Sequence, residues 1–497
     1  MTFDLHDFDQ FVLVGSLVTL AAILAVRLSS RAGLPSLLIY LLMGVALGES
    51  GLGIQFEDAE LAHALGFAAL ATILAEGGLT TNWREAKPAM RLGLSLATVG
   101  VAISVGIVAV SAHYLLGLPW ELAVLLGAVL SPTDAAAVFS VLRAVPLPRR
   151  MVASLEAESG LNDAPTVVLV TLISSGAVAD NGVLGMLAIV VFELVVGVAI
   201  GLAVGFGGGW LMRRVALPAS GLYPLAVLCL AFLAYGAAVG VHASGFAAIY
   251  VAGVVLGNAD LPHRGTTRSF AEGVAWLAQI GLFVMLGLLL SPGRIGLEVV
   301  GLALAAGTIL TFVARPISVM LSSAVRPMPL NEAAFMSWAG LRGAVPIVLT
   351  TIPLAKGVTD AHLLFDIVFV IVVIDTLLTG PTLPPAARLL GVTRRSEPRD
   401  LDLEAAPLDK VQADILQITI HPRSQIHGVE VGELRLPKGA SVSIVIRGGE
   451  TLVPERRTVL RTGDDLLVVT PRKLREQTED RLREVSEHGR LGQWLRE

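Results

Sequence analysis

The chain has 497 residues, of which 54% are hydrophobic and only 15% are charged, against roughly 25% charged in a typical soluble domain. A formal net charge of −5 argues against a strongly basic surface and a nucleic-acid partner, and the single cysteine, Cys229, rules out an internal disulfide. The missing charge is concentrated in long apolar runs, the signature of a membrane-embedded chain.

The first ten residues, MTFDLHDFDQ, lack Lys and Arg, so the first apolar stretch is expected to be a retained span rather than a secretory signal. With about 20 residues needed per crossing, spans are predicted at 10–28, 35–50, 61–80, 92–116, 120–142, 154–175, 184–211, 223–240, 244–257, 272–290, 296–322, 331–353 and 361–386. Alternate loops carry Arg27 and Arg31; Arg84, Lys87 and Arg91; Arg143, Arg149 and Arg150; Arg213 and Arg214; Arg264 and Arg268; and Arg326. The intervening loops hold only Arg294 and Lys356. By the positive-inside rule this predicts a multi-pass inner-membrane protein with its N-terminus outside and its C-terminus in the cytoplasm.

Residues 1–390 thus read as an all-α polytopic membrane domain of thirteen helices. Residues 391–408 are charged, contain Pro398 and Pro407 and show no apolar period, so they read as a linker. Beyond them, residues 409–497 form a small α+β cytoplasmic domain. DILQITI, SVSIVI and DLLVV alternate as strands, and residues 473–488 are charged and favour a helix.

An ionisable residue at the bilayer centre costs roughly 2.5–3.5 kcal/mol, so each one requires an explanation. Glu76 in ILAEGGL either lines an approach to a site or sits near the inner interface, and the sequence does not choose. In the fifth span, S-P-T-D (Ser131 to Asp134) interrupts an apolar helix. Pro132 removes an amide donor, and exposed backbone at that depth is tolerated where it lines a cavity. A carbonyl near Thr133 together with Asp134 suits a monovalent cation; a plain proline kink is the alternative.

The sixth span carries E-S-G-L-N-D, Glu158 to Asp163. Glu158 with Asn162, and Ser159 with Asp163, are i,i+4 pairs, so four polar side chains share one side of the helix. Asp163, thirteen residues past Arg150, lies about 20 Å from the basic edge at 1.5 Å per residue. A helix-packing hydrogen-bond cluster is the competing reading. In the twelfth span, G-L-R-G-A-V-P (Gly340 to Pro346) places Arg342 near the midplane, where it needs a carboxylate; Glu158 is the expected partner. The two interrupted spans are seven helices apart and so run antiparallel, as in an inverted repeat with a pair of broken crossing helices. Glu193, Asp366, Asp375 and Arg315 are expected in structural pairs or dimer contacts rather than in transport. No metal-ligand spacing, phosphate-binding Gly-Lys-Ser loop or nucleophile triad occurs, so neither an enzyme nor a cofactor is expected.

At SPTDAAAVFSVLR, EAESGLNDAPTVV and GLRGAVP, the sequence resembles the monovalent cation:proton antiporter-1 family over about residues 10–390. The resemblance implies a thirteen-helix fold with a dimerisation bundle and a moving core bundle, and hence a homodimer. It implies that Asp163 is the exchanging carboxylate with Asn162 beside it, and that Ser159, Asp134 and Thr133 are cation ligands with Glu76 an acid close to the site. It also implies a Glu158–Arg342 ion pair. Asn162 before Asp163 resembles the electroneutral members, whereas Asp375 departs from the expected pattern. At S-x-x-x-G-V-E-V-G-E-L, V-I-R-G-G-E-T-L-V-P and L-R-T-G-D-D-L-L-V-V, residues 409–472 resemble the TrkA-C regulatory domain of potassium channels and uptake systems, which implies a small regulatory ligand and tilts the expected substrate towards K+ over Na+. Protons and cations would compete at one site, since burial favours the neutral acid and a bound cation the carboxylate. Rival readings are a regulated K+ channel, for which no filter loop such as TVGYG is present, and a sensor that moves no ions.

Overall fold

The computed structural model describes residues 5–32, 36–49, 51–54, 56, 58–134, 147–393, 401–408, 413–421 and 424–489. The chain divides into two units, Met1–Thr393 and Arg394–Glu497.

The first unit is helical. Among the described residues its longer helices are, in chain order, α1 (Leu5–Ala32), α2 (Ser36–Leu47), α3 (Ala59–Thr80), α4 (Met90–Tyr114), α5 (Trp120–Leu130), α6 (Arg149–Ser174), α7 (Gly182–Arg214), α8 (Leu222–Gly240), α9 (Gly245–Asn258), α10 (Arg264–Leu288), α11 (Leu297–Val325), α12 (Leu330–Trp338), α13 (Ala344–Ala355) and α14 (Ala361–Leu389). Among the described residues, α3, α4, α7, α8, α10, α11 and α14 are long and apolar enough to cross a bilayer. The remaining apolar helices are shorter, and two of them are short because the chain breaks. The fifth predicted span stops at Leu130, one residue before S-P-T-D, and the twelfth divides into α12 and α13 around Gly340 to Gly343. Residues 135–146, which hold the rest of the fifth predicted span and Arg143, lie outside the described residues.

Close helix packing follows from small residues. α3 and α9 meet through Gly78, Gly253 and Gly257. A Cβ on Gly257 would fall 2.3 Å from the Leu79 carbonyl oxygen, so only glycine fits there. α4 and α11 each contain a π turn, at Leu96–Gly100 and Leu310–Ala314, and each turn packs on the other helix. The Ser95 hydroxyl donates to the Ser322 carbonyl at 3.1 Å across that contact.

The second unit carries a five-stranded antiparallel sheet: β1 (Leu401–Leu408), β2 (Ala413–Ile420), β3 (Ser441–Arg447), β4 (Glu450–Leu452) and β5 (Asp465–Pro471), in the order β1-β2-β5-β3-β4. β2 and β5 pair Leu416 with Val468 and Ile418 with Leu466. These four side chains are buried against Leu482 and Val485 of α15 (Arg475–His488). β1 corrects the expected linker at 391–408, because residues 401–408 pair with β2 over their whole length. The strand is at the sheet edge, where charge and Pro407 are tolerated; the same features mask it as a linker.

Candidate functional site

The two chain breaks cross. The Asp134 amide donates to the Leu341 carbonyl at 2.9 Å, so the segment after α5 and the segment between α12 and α13 are tied backbone to backbone. The approach is close enough that a Cβ on Gly343 would lie 1.7 Å from Asp134 Oδ2. Proline and glycine in the sequence thus deliver one feature together: Pro132 ends a helix and Gly343 admits the Asp134 carboxylate.

α6 brings its polar side chains to this crossing. The Asn162 amide donates to Thr133 Oγ1 at 3.0 Å. The Thr166 hydroxyl donates to the Asn162 and Asp163 carbonyls at 2.9 Å each, beside Pro165, which removes a helical donor in the same turn. Asn162 and Asp163 are buried. Their Oδ1 atoms have no hydrogen-bond partner among the described residues, and buried acceptors of that kind are costly to leave unmet. Asp163, Asp134, Ser159 and Glu76 all line one cavity of about 310 Å³, together with Glu156, Thr80, Thr81, Tyr250 and Gln279. Glu76, left open by the sequence, is on that cavity wall.

The cavity extends towards the C-terminal end of α3, which leads into the basic segment with Arg84, Lys87 and Arg91. At the other end of α3, His63 contacts Thr351 Oγ1 of α13 at 3.2 Å and meets Phe67 edge-on, and Phe67 meets Phe246 of α9 at a tilt.

The expected Glu158–Arg342 pair is replaced by another. Both oxygens of Glu158 are taken by Arg315 of α11, through Nη1 and through Nη2 at 2.9 Å. Glu158 and Arg315 are 1% and 3% exposed, so this is a fully buried fork-to-fork pair. Arg342 turns instead to backbone acceptors released by the breaks: its Nε donates to the Leu130 carbonyl at 3.3 Å and its Nη1 to the Gly340 carbonyl. Carbonyls at helix ends lack intrahelical partners and carry partial negative charge, which explains why an arginine settles there. Its own amide donates to Asp375 Oδ2 of α14 at 3.0 Å, and Thr379 donates to Asp375 Oδ1 at 2.9 Å. Arg315, expected in a structural pair or a dimer contact, is thus the partner of Glu158, and Asp375 is the acceptor of the Arg342 amide beside the crossing. Their signal was present, since both are ionisable and lie within predicted spans. Asp366, by contrast, is paired at the far end of α14 with Arg294, at 3.3 Å.

The profile of the family described as sodium/hydrogen exchanger, transmembrane, matches residues 17–389, and that of the TrkA-C domain matches residues 415–483. The chain belongs to the sodium/hydrogen exchanger family. Among curated relatives of this exchanger, the K(+)/H(+) antiporter NhaP2 of Shewanella oneidensis is 36% identical over 477 residues, covering 95% of this chain and 83% of that one. The K(+)/H(+) antiporter NhaP of Alkalimonas amylolytica is 36% identical over 471 residues, 92% of this chain and 80% of that one. The Na(+)/H(+) antiporter NhaH of Halobacillus dabanensis is 26% identical over 412 residues, 78% of this chain and all of that one. The solved sodium proton antiporter MjNhaP1 of Methanocaldococcus jannaschii shares the fold of the exchanger, with a TM-score of 0.64 at 22% identity over 77% of this chain and 99% of that one. The family is one of transporters, not enzymes.

Proposed function

We propose that this cation/proton antiporter exchanges cytoplasmic K+, or Na+, for external H+ at Asp163, one ion at a time. The observation that carries the reading is the buried Asp163 carboxylate. It faces a cavity beside Asp134 and the helix crossing, with an oxygen that no described protein group satisfies. Such a carboxyl needs either a proton or a cation. Ser159 and Thr133 complete the oxygen set for a hard cation, with Glu76 on the approach; Asn162 holds Thr133 and cannot titrate. The exchange is electroneutral on this reading. K+ is favoured over Na+ by the names of the relatives at 36% identity and by the TrkA-C domain.

The same reading assigns thirteen spans, an N-terminus outside and a cytoplasmic C-terminus, so the cavity opens inward, towards the basic loops. It assigns inverted repeats, supported by the paired breaks in α5 and α12–α13 and the paired π turns in α4 and α11, each seven helices apart. A homodimer in the lipid of the inner membrane, a role in pH homeostasis and a small ligand on the TrkA-C domain complete it. Rocking of one bundle against the other would expose the site alternately. The test is dye-dequenching exchange in proteoliposomes with K+, Na+ and Li+ side by side. Asp163→Asn should abolish exchange of every cation in folded protein; retained exchange would refute the site.

A further inference from the structure

We infer that Asp375 sets the charge of the cation site by neutralising Arg342, and that it is thereby a positioning residue for exchange. The inference rests on the reading of Asp163 as the exchange site. The observation is a balance of formal charges around the helix crossing. Glu158 is matched by Arg315. Arg342 is 2% exposed; among the described residues its guanidinium donates to backbone carbonyls alone, and its Nη2 has no partner. Asp375 receives the Arg342 amide itself, and on this inference it is the counter-charge of the guanidinium. With both arginines matched, Asp134 and Asp163 keep their negative charge for a cation.

The remaining charged groups on the elements around Asp375 are remote from the crossing. α13 has none; α5 carries only Glu121, α11 Glu298 in its first turn besides the paired Arg315, and α12 Glu332, which is held by Arg150. On α14 itself, His362 is in the first turn, Asp366 is held by Arg294, and Arg388 is in the last turn. Asp163 is faced by Asp134 across the crossing and shares its cavity with Glu76, Glu156 and Tyr250. The neighbours of Arg342 in sequence, Leu341 and Gly343, both lie against Asp134. An unmatched Arg342 therefore acts on the site at short range.

Asp375→Asn keeps an acceptor for the Arg342 amide and for Thr379 but removes the charge. One extra positive charge within about 10 Å, at an effective dielectric of about 20, weakens cation binding about tenfold. It weakens proton binding at the same carboxylate by the same factor. Under competition, these two changes cancel at acid pH, where the apparent KM is the cation constant multiplied by proton concentration over the proton constant. They do not cancel at alkaline pH, where KM is the cation constant alone. A merely structural role would not produce that pH dependence.

The experiment uses the purified full-length chain in proteoliposomes, with KM for K+ and Na+ measured on both sides of the wild-type pH optimum. Asp375→Asn should raise KM about tenfold at alkaline pH and leave it near wild type at acid pH. Asp375→Glu should behave as wild type, and Arg342→Gln with Asp375→Asn should bring the alkaline KM back down. An unchanged KM, or the same rise at both pH values, would overturn the inference. If the single variant does not fold, the neutral double variant decides: it should fold and keep the alkaline KM, and a double no better than the single refutes the charge balance. Asp163→Asn is run in parallel, and exchange retained there would refute the site itself rather than the role of Asp375.

Discussion

Replacing Arg315 by alanine tests which arginine balances Glu158. Glu158 is 1% exposed, and both its oxygens are held by the Arg315 guanidinium. Removing one member of a buried pair leaves the other charge uncompensated, at a cost of about 3–5 kcal/mol. Against a total stability on the order of 5–15 kcal/mol, that is a large fraction. At about 2 °C per kcal/mol for a large domain, Arg315→Ala should lower the apparent melting temperature by about 6–10 °C in fluorescence-detected size exclusion. Folded yield should fall with it. Adding Glu158→Gln removes the stranded charge and should recover much of the loss. The same addition to Arg342→Ala should recover little, because the Arg342 guanidinium is held by helix-end carbonyls and not by Glu158. If Glu158→Gln rescues Arg342→Ala and leaves Arg315→Ala unimproved, the assignment of the two pairs is reversed.

Gly343→Ala should raise the KM for cations at least tenfold while the protein still folds, because its Cβ would displace the Asp134 carboxylate; a KM equal to wild type in proteoliposomes would contradict the crossing geometry. Exchange should be electroneutral, since Asn162 cannot titrate, so valinomycin-set potentials should leave Na+/H+ exchange rates nearly unchanged, and clear acceleration would require a second titrating group. In the C-terminal domain, burial alone would push the Asp464 carboxyl up, but the Arg447 guanidinium and the Arg461 amide outweigh it and hold the carboxyl below the usual range. A carboxyl lowered on folding contributes stability above its unfolded value of about 3.9 and loses it as pH falls through the folded value. Melts of residues 401–497 followed by circular dichroism should therefore drop below about pH 4, and Asp464→Asn should flatten that dependence while lowering the melting temperature at neutral pH. Removing residues 401–497, the whole sheet domain, should preserve exchange and cation order while changing its control by pH or effector; a switch from K+ to Na+ preference would show that the tail shapes the site.

Hydropathy made most of the membrane unit legible, because each span must be apolar for about 20 residues and each loop then shows its charge. The breaks were legible for a different reason: Pro132 and the Gly340 to Gly343 run are costly inside a helix, and the structure interrupts its helices at both. β1 was not legible. Its residues, LDLEAAPL, carry acids and a proline as a linker does, and only pairing with β2 distinguishes an edge strand from a linker of that composition.

The pairing of buried charges was misread for a geometric reason. Residue number gives depth along a helix at about 1.5 Å per residue, and by that measure Arg342, eleven residues from Asn331, and Arg315, eleven from Arg326, are equally deep. Depth alone therefore could not choose a partner for Glu158; only direction around the helix axis could. Direction is what the 3.6-residue period normally supplies, and here it fails on both candidates. Arg342 falls between α12 and α13, where there is no helix and hence no period. Arg315 follows immediately after the π turn Leu310–Ala314, and such a turn inserts one residue, advancing everything beyond it by about 100°. A helical wheel drawn through α11 without that insertion turns Arg315 away from its true direction by more than a quarter of a revolution. The residue that neutralises the most buried acid of the site thus sits directly behind the irregularity that hides it.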